Sequence, residues 1–259
     1  MRGGRAARTG RALGVCALAG LAVAGCADSR ASGAAVGEES AGPPRTVVAV
    51  VDFSGSQTSH SVAGARQYLA KVVKGLRYGD RLVLLEMYRT GSRDSVGSFV
   101  QDMPQPIRPG AITSYDRREL DAARRGVLNA LPIFFDPALV RSVPTTDLLT
   151  TLHIAAEHLH DAGDREKELI ILSDMLQSTR AFEFEGARRM PPEGWVAAQD
   201  QGRLLPSLRG ACVVVVGADH TTPHGQRVRR FWGDYFQATG ARLAAGNYRL
   251  RPPTDRVEC

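Results

Sequence analysis

Three oxygen-bearing side chains follow an apolar run near the start of the folded part of the chain. Asp52, Ser54 and Ser56 come directly after the run Val47 to Val51. A valine-rich run of this kind predicts a parallel β-strand that is buried on both faces. Open α/β sheets bind ligands at the carboxyl ends of their strands. Because carboxylate and hydroxyl oxygens are hard donors, the sequence predicts a site for Mg²⁺ or Mn²⁺ after this strand.

Two further oxygen donors stand where a helix begins and where another strand ends. Thr146 precedes a helical pattern that starts at Leu148, and Asp174 follows the apolar run from Leu169 to Ser173. We expect both side chains at the solvent rim of the sheet, as further residues of the same metal site. Thr145 is an alternative to Thr146, and N-capping of the helix is an alternative role for the Thr146 hydroxyl.

Together these residues resemble the metal-ion-dependent adhesion site (MIDAS) of the von Willebrand factor A domain family. Order and spacing match over about residues 46–250. The resemblance implies a metal held directly by the serines and threonine, with Asp52 and Asp174 acting largely through waters. It also implies that an acidic residue of a partner protein completes the metal's coordination, without catalysis. In two places the chain departs from the family: Val-Pro-Thr-Thr stands for Gly-Thr before the helix, and Met175 stands for a glycine, where we expect it to alter the rim.

Strand and helix patterns alternate along the chain. Strands are predicted at residues 47–51, 82–87, 96–100, 169–173, 212–216 and 242–245, and helices at 62–76, 116–131, 148–159, 196–205 and 228–236. Repeated β-α units predict an α/β fold, a doubly wound and mostly parallel sheet with helices on both faces. In such a sheet Asp52 and Asp174 would end adjacent strands where the strand order reverses.

The amino-terminal segment predicts export and a lipid anchor. Four arginines precede an uncharged apolar run, Ala12 to Ala24, which suits a signal peptide and is too short to span a membrane. The run ends in Val-Ala-Gly before Cys26, which resembles the lipobox of bacterial lipoproteins; an ordinary secretory signal is the alternative. We predict a signal peptide at 1–25, a flexible tether at 26–45, the folded domain at 46–251 and a tail at 252–259. The protein would be lipid-anchored through Cys26 on the extracytoplasmic side of a bacterial cell membrane or outer membrane.

The net charge limits the classes of partner, and the cysteine content limits the possible disulfides. Removing residues 1–25 removes four arginines and no acid, which lowers the formal net charge from +6 to +2. Since the remaining basic pairs are scattered along the sequence, a nucleic-acid partner is not expected. Cys212 and Cys259 would be the cysteines left besides Cys26. A disulfide is allowed outside the cytoplasm, but Cys212 lies in a predicted buried strand, so whether the two pair stays open.

An enzymatic function is the competing interpretation. An aspartate after a buried strand also begins metal-dependent phosphohydrolases, in which Asp52 would be the nucleophile. Those enzymes usually carry a second carboxylate two positions on, where this chain has Ser54. The sequence also lacks the phosphate-loop, dinucleotide-binding and nucleophile-elbow motifs. We therefore predict a metal-dependent docking protein whose partner is an unidentified protein that offers an acidic residue.

Overall fold

One six-stranded sheet organises the domain. The structure is a computed structural model that describes residues 42–54, 57–87, 97–136, 145–185, 189–253, 257 and 259. The strands are β1 (Arg45–Val51), β2 (Arg81–Glu86), β3 (Ser98–Asp102), β4 (Glu166–Leu172), β5 (Cys212–Val216) and β6 (Tyr248–Arg249). The helices are α1 (Ser59–Lys74), α2 (Ser114–Phe134), α3 (Leu148–His160), α4 (Trp195–Gln201) and α5 (Pro223–Ala238), and Ala245–Asn247 forms a short 3-10 helix.

The strand order is β3-β2-β1-β4-β5-β6. All neighbouring strands run parallel except β3, which pairs antiparallel with β2 at one edge. The order reverses between β1 and β4, which pair from Arg45 opposite Glu166 to Val51 opposite Leu172. This is the crevice position at which doubly wound sheets bind ligands. The predicted fold class is confirmed, including the placement of Asp52 and Asp174 after adjacent strands.

Helices cover both faces of the sheet because alternate strand residues point to opposite sides. Val47, Ala49 and Val51 pack with residues of α1 and α2, among them Leu69, Leu120 and Val127. Val48 and Val50 pack on the other face with residues of α3 and α5, including Leu152, Ala155, Val228 and Trp232. All residues of β1 from Thr46 to Val51 are buried, so the uninterrupted apolar run reflects a strand covered on both sides.

The parallel strands all begin at one side of the sheet, which we call its amino edge; the side at which they end is its carboxyl edge. Ionic contacts and a disulfide stabilise the amino edge. The carboxylate of Asp80, which is fully buried, accepts hydrogen bonds from the backbone N–H of Arg45 at 2.9 Å and of Arg77 at 2.8 Å. The Arg45 guanidinium contacts Asp80 at 3.2 Å and Glu168 at 2.7 Å. Cys212, the first residue of β5, forms a disulfide with Cys259. The cysteine pairing that the sequence left open is therefore present.

Some predicted elements differ in their limits, and one prediction was wrong. The edge strand spans Ser98–Asp102 rather than 96–100, and α2 extends through Pro132 to Phe134. The last strand is not at residues 242–245, where Arg242 makes a single bridge to Cys212. It lies at Tyr248–Arg249, because the buried Tyr248 ring packs in the core beside α5.

The described elements form one unit that contains its own core. They fall within Val36–Cys259, and both apolar clusters and the disulfide are built from residues of this unit. We therefore expect residues 36–259 to fold without the preceding segment. Within the described ranges, no helix is long and apolar enough to cross a membrane.

Candidate metal-binding site

Asp52 is fixed in place immediately after β1. Its backbone N–H donates to the carbonyl of Leu172 at 3.0 Å, which extends the pairing of β1 with β4 by one residue. Its side chain is only 3% exposed. One carboxylate oxygen accepts from the backbone N–H of Ser54 at 2.8 Å, and the other accepts from the Ser173 hydroxyl at 2.7 Å. These bonds hold the carboxylate in one orientation.

The turn that follows β4 carries the second aspartate. Ser173 is buried and bonds in both directions, because its hydroxyl also accepts from the backbone N–H of Met175 at 2.9 Å. Asp174, which is half-buried, accepts from the backbone N–H of Leu176 at 3.0 Å. The turn thus places Asp174 just after the end of β4, the strand that pairs with β1.

Met175 does not lie on the rim, contrary to our expectation. Its side chain is fully buried, and its backbone carbonyl accepts a hydrogen bond from the Trp232 indole at 2.9 Å. Its φ of 66° lies in the left-handed region, which favours glycine. The Met175 side chain therefore fills the core rather than the surface of the site.

Thr146 lies directly before α3 and is paired with the segment after Asp174. Its backbone exchanges two hydrogen bonds with Ser178, at 2.9 and 2.8 Å. It is only 4% exposed, so the predicted position on the solvent rim is wrong for this residue. The capping role falls instead to Asp147, whose carboxylate accepts from the backbone N–H of Thr150 at 3.1 Å.

Gln177 fastens α3 to the same segment. Its side-chain oxygen accepts from the backbone N–H of Leu148 at 2.8 Å, and its side-chain nitrogen donates to the Asp147 carboxylate at 3.0 Å. The stretch from Ser173 to Ser178 is thus bonded to Asp52 at one end and to the start of α3 at the other. Three distant parts of the sequence, those of Asp52, Thr146 and Asp174, are joined by one hydrogen-bonded connection.

Not every predicted site residue can be located. Ser54 is half-buried two residues after Asp52. Ser56 lies outside the described residues, and so does Cys26. Thr145, the alternative to Thr146, is half-buried and precedes the paired position, so the pairing with Ser178 distinguishes Thr146 from its neighbour.

The carboxyl edge of the sheet concentrates negative charge. Asp219 follows β5, and hydrogen bonds from the backbone and hydroxyl of Thr221 and from the hydroxyl of Thr222 lower its pKa to about 2. Burial raises the pKa of Tyr248 on β6; Arg229 opposes this shift, while the negative charges of Asp174 and Asp219 add to it. The two aspartates therefore lie near the same phenol. An edge with several ionised carboxylates attracts cations.

The donor chemistry fits a hard divalent cation. In the described part of the chain, no three side chains of His, Cys, Asp or Glu are grouped so as to hold a metal ion. A site at this edge would therefore depend on hydroxyl oxygens as well as carboxylates. The predicted residues supply oxygen donors alone, which favours Mg²⁺ or Mn²⁺ over Zn²⁺.

Three residues of this region were not predicted from the sequence. Ser173, Gln177 and Asp147 connect the segments that carry the predicted donors. Asp147 carried a usable signal, because an aspartate directly before a helical pattern is a common N-cap. Ser173 stands directly before the strand-end carboxylate, but nothing in the sequence indicates that it bonds Asp52. Gln177 carries no sequence signal, since its bonds depend on how two loops meet.

Comparison with known proteins yields a loose structural similarity. No family model and no curated protein matches the sequence. Similar solved structures include the pilus adhesin SpaC from Lactobacillus rhamnosus GG in an open conformation, with 14% identity and a TM-score of 0.45 over 80% of this chain and 28% of that one. A von Willebrand factor type A protein from Catenulispora acidiphila has 13% identity and a TM-score of 0.42, over 81% and 39%. Proximal thread matrix protein 1 of the mussel byssus, with a zinc-occupied MIDAS motif, has 10% identity and 0.38, over 78% and 44%.

The chain spans less than half the length of each of these three proteins. At these scores the similarity assigns no function to it.

Proposed function

We propose that this protein is a docking module that binds an acidic residue of a partner protein through a divalent metal and performs no catalysis. The observation that carries the proposal is the hydrogen-bonded connection from Asp52 through residues 173–178 to Thr146. It joins the three sequence segments that supply the predicted oxygen donors. The connection lies at the carboxyl ends of β1 and β4, where the strand order reverses.

Each residue has a distinct role in this proposal. Ser54, Ser56 and Thr146 would supply neutral hydroxyl oxygens to Mg²⁺ or Mn²⁺, while Asp52 and Asp174 would hold its bound waters. Neutral donors leave much of the ion's charge uncompensated, so the bound metal would offer an electrophilic position to an anionic group. The burial of Asp52 and the bonds to both of its carboxylate oxygens suit a fixed positioning group.

Calorimetry with Mn²⁺ on residues 36–259 tests the metal site. We expect Asp52→Asn and Thr146→Val each to weaken Mn²⁺ binding at least about tenfold, the scale typical of residues that position a metal. Both variants keep the shape of the side chain, which limits the effect on folding. Asp121→Asn is the matched control, since Asp121 is exposed on α2 and pairs with Arg124. If wild type, Asp52→Asn and Thr146→Val bound Mn²⁺ with equal affinity, the proposed metal site would be refuted.

A pull-down and a phosphatase assay distinguish partner binding from catalysis. Detergent-solubilised membranes are passed over immobilised protein with Mg²⁺ or with a chelator, for wild type and for Asp174→Ala. We expect a protein retained only with Mg²⁺ and lost in the variant. Phosphatase activity on generic phosphoesters that requires Asp52 and forms an aspartyl-phosphate would contradict docking and favour the phosphohydrolase alternative.

We also propose that the protein is lipid-anchored through Cys26 on the extracytoplasmic side of a bacterial membrane. The disulfide between Cys212 and Cys259 supports this location, because such bonds persist in oxidising compartments. Detergent phase partitioning tests the anchor. We expect wild-type protein in the detergent phase and less of Cys26→Ala there. A wild-type protein that enters the aqueous phase as fully as the variant would refute the anchor.

A further inference from the structure

A groove of about 1000 Å³ lies at the amino edge of the sheet. Its lining includes Arg45, Glu166 and Cys212, which are the first residues of β1, β4 and β5. Since these strands are parallel, the groove is at the opposite edge from Asp52 and Asp174. Its volume lies at the upper end of the range for small-molecule sites.

Basic side chains dominate the described lining. Six come from the amino ends of strands and the turns beside them: Arg45, Arg77, Arg165, Lys167, Arg209 and Arg242. Lys71 on α1 is a seventh, whereas the described acidic lining residues are Glu166 and Glu168. A concave surface with one dominant sign of charge raises the local concentration of oppositely charged ligands.

Within the described domain, the basic lining residues outnumber the acidic side chains that line or contact the groove, which are Glu166, Glu168 and Asp80. Arg45 and Arg77 share the buried Asp80, and Arg45 also contacts Glu168. The guanidinium of Arg165 donates to the backbone carbonyl of Gly79, and that of Arg242 donates to the backbone carbonyl of Gly210. A carbonyl satisfies a donor without cancelling its charge, so the groove keeps an excess of positive charge available to an anion.

The groove also has an apolar component that a simple anion does not require. Tyr68 and Val72 of α1, with Pro253 and Val257 of the carboxyl-terminal segment, contribute to its lining. Cations beside apolar side chains suit a ligand that carries an anionic group next to a hydrocarbon part. Phospholipids of membrane surfaces have this chemistry.

The chain enters the domain beside the groove, so a membrane anchor on the preceding segment would lie close to it. The predicted tether, residues 26–45, enters the domain at Arg45, which lines the groove, and Pro43 just before it accepts a hydrogen bond from Arg77 at 2.8 Å. If these residues behaved as a coil, they would span roughly 25 Å. An anchor at Cys26 would therefore keep the amino edge near the bilayer.

We propose that the groove binds the headgroups of anionic phospholipids and so holds the domain against its membrane with the metal-binding edge facing away. Choosing a lipid as the ligand depends on the membrane attachment proposed above, whereas the excess of positive charge does not. Arg165, Lys167, Arg209 and Arg242 would contact the phosphates, and the apolar lining would contact the glycerol and upper acyl chains.

Vesicle co-sedimentation of residues 36–259 tests the proposal. This unit lacks Cys26, and a chelator is present throughout, so neither an acyl chain nor the metal site contributes. The vesicles contain equal parts of phosphatidylcholine and phosphatidylglycerol, or phosphatidylcholine alone. We expect binding to the mixed vesicles only, weakened by added salt.

Charge-reversal variants locate the contact. Arg209→Glu with Arg242→Glu changes two exposed groove residues, and we expect about 25-fold weaker binding, since each basic residue near an anionic surface contributes about fivefold. Lys167→Gln alone should weaken binding to the mixed vesicles about fivefold. The matched control, Arg118→Glu with Arg125→Glu, makes the same charge change at exposed positions of α2 outside the groove and should bind like wild type. Circular dichroism melting checks that each variant is folded.

Three results would overturn the proposal. The first is an absence of binding to mixed vesicles, and the second is an equal loss in the groove and control variants, which would indicate general surface charge. The third is binding of inorganic phosphate, measured by calorimetry, without vesicle binding, which would make the ligand a soluble anion. None of these results bears on Mn²⁺ binding at Asp52, and loss of the metal site would leave vesicle binding unchanged.

Discussion

Ser173 is a buried side chain that connects two segments of the proposed metal site. It directly follows β4 and is buried; its hydroxyl donates to the Asp52 carboxylate at 2.7 Å and accepts from the backbone N–H of Met175 at 2.9 Å. It is not among the proposed metal donors. Groups that orient a metal-binding residue in this way often affect metal affinity nearly as much as the donors do.

We predict that Ser173→Ala lowers the free energy of unfolding by about 2 kcal/mol, because a buried hydrogen bond to a charged group is lost. Mn²⁺ affinity should fall about tenfold, since the Asp52 carboxylate is no longer oriented. Urea unfolding and calorimetry measure the two effects. Ser207→Ala, at an exposed position, should change neither. Full Mn²⁺ affinity in a folded Ser173→Ala would show that Asp52 is positioned without this bond.

At the residue scale, the sequence predicted the positions of Asp52 and Asp174 in the sheet better than it predicted the surroundings of Thr146 and Met175. Asp52 and Asp174 follow adjacent strands as predicted, because strand-end positions can be inferred from an apolar run. Thr146 is buried rather than exposed, and Met175 lies in the core rather than on the rim. Both differences arise from contacts with segments distant in sequence, Ser178 for Thr146 and Trp232 for Met175, and local patterns carry no information on such contacts.

Among the elements, α2 begins with a capping box formed by Thr113 and Asp116, and the Asp116 carboxyl has a shifted pKa. The Asp116 carboxylate accepts from the hydroxyl and the backbone N–H of Thr113 and from the backbone N–H of Ile107, and these bonds, led by the Thr113 hydroxyl, lower its pKa. A lowered pKa in the folded state stabilises the protein above the unfolded-state pKa, near 3.9. This stabilisation is lost as the pH falls through the folded-state value.

We predict that Asp116→Asn is less stable than wild type at neutral pH, and that the difference narrows as the pH falls below about 4, the pKa of an unperturbed aspartate. The reason is that the wild-type carboxyl becomes protonated there and loses its advantage as an ionised acceptor. Urea unfolding at a series of pH values measures the difference. Glu119→Gln, an exposed change on the same helix, controls for net charge. A difference that stays constant with pH would contradict this account.

Strong periodic patterns predicted elements well, and marginal ones did not. β1, β4 and β5 are buried on both faces, so their apolar runs were unmistakable. β6 has only two residues, and its position follows from the burial of Tyr248 in the core cluster that also contains residues of α5, rather than from a local pattern. The predicted strand at 242–245 is wrong: Arg242 makes only an isolated bridge to Cys212, and a 3-10 helix begins at Ala245.

On the scale of the whole molecule, the disulfide closes the carboxyl-terminal part of the chain onto the sheet. Cys212 and Cys259 are 47 residues apart in sequence, and β5, α5 and β6 lie in the loop that they close. A cross-link of this span restricts the unfolded chain and commonly contributes about 2–4 kcal/mol.

We predict that the double variant Cys212→Ser with Cys259→Ser lowers the free energy of unfolding by about 2–4 kcal/mol. Its Mn²⁺ affinity should equal that of wild type, since the disulfide lies at the amino edge of the sheet. Reductant should destabilise the wild type by a similar amount and leave the variant unchanged. Urea unfolding with and without reductant makes the comparison, and a variant as stable as oxidised wild type would contradict it.

The concentration of basic residues in the groove could not be predicted from the sequence. The basic pairs in the sequence gave no reason to expect a concentrated patch. The residues that do converge, such as Arg45, Arg165 and Arg242, are far apart in the chain. They meet because parallel strands all begin at one edge, so the residues before each strand are collected there. Only the topology of the sheet reveals this.

The position of β1 also has a mechanical consequence. The chain enters the domain at Arg45 and reaches Asp52 at the other end of the same strand, which is paired along its length with β2 on one side and β4 on the other. If the anchor and a captured partner were pulled apart, the load would run along β1 and stress both ladders in shear. Bonds loaded in that direction share the force and must fail together, whereas a strand peeled from one end loses them one at a time. The central strand is therefore suited to carry a load between its two ends.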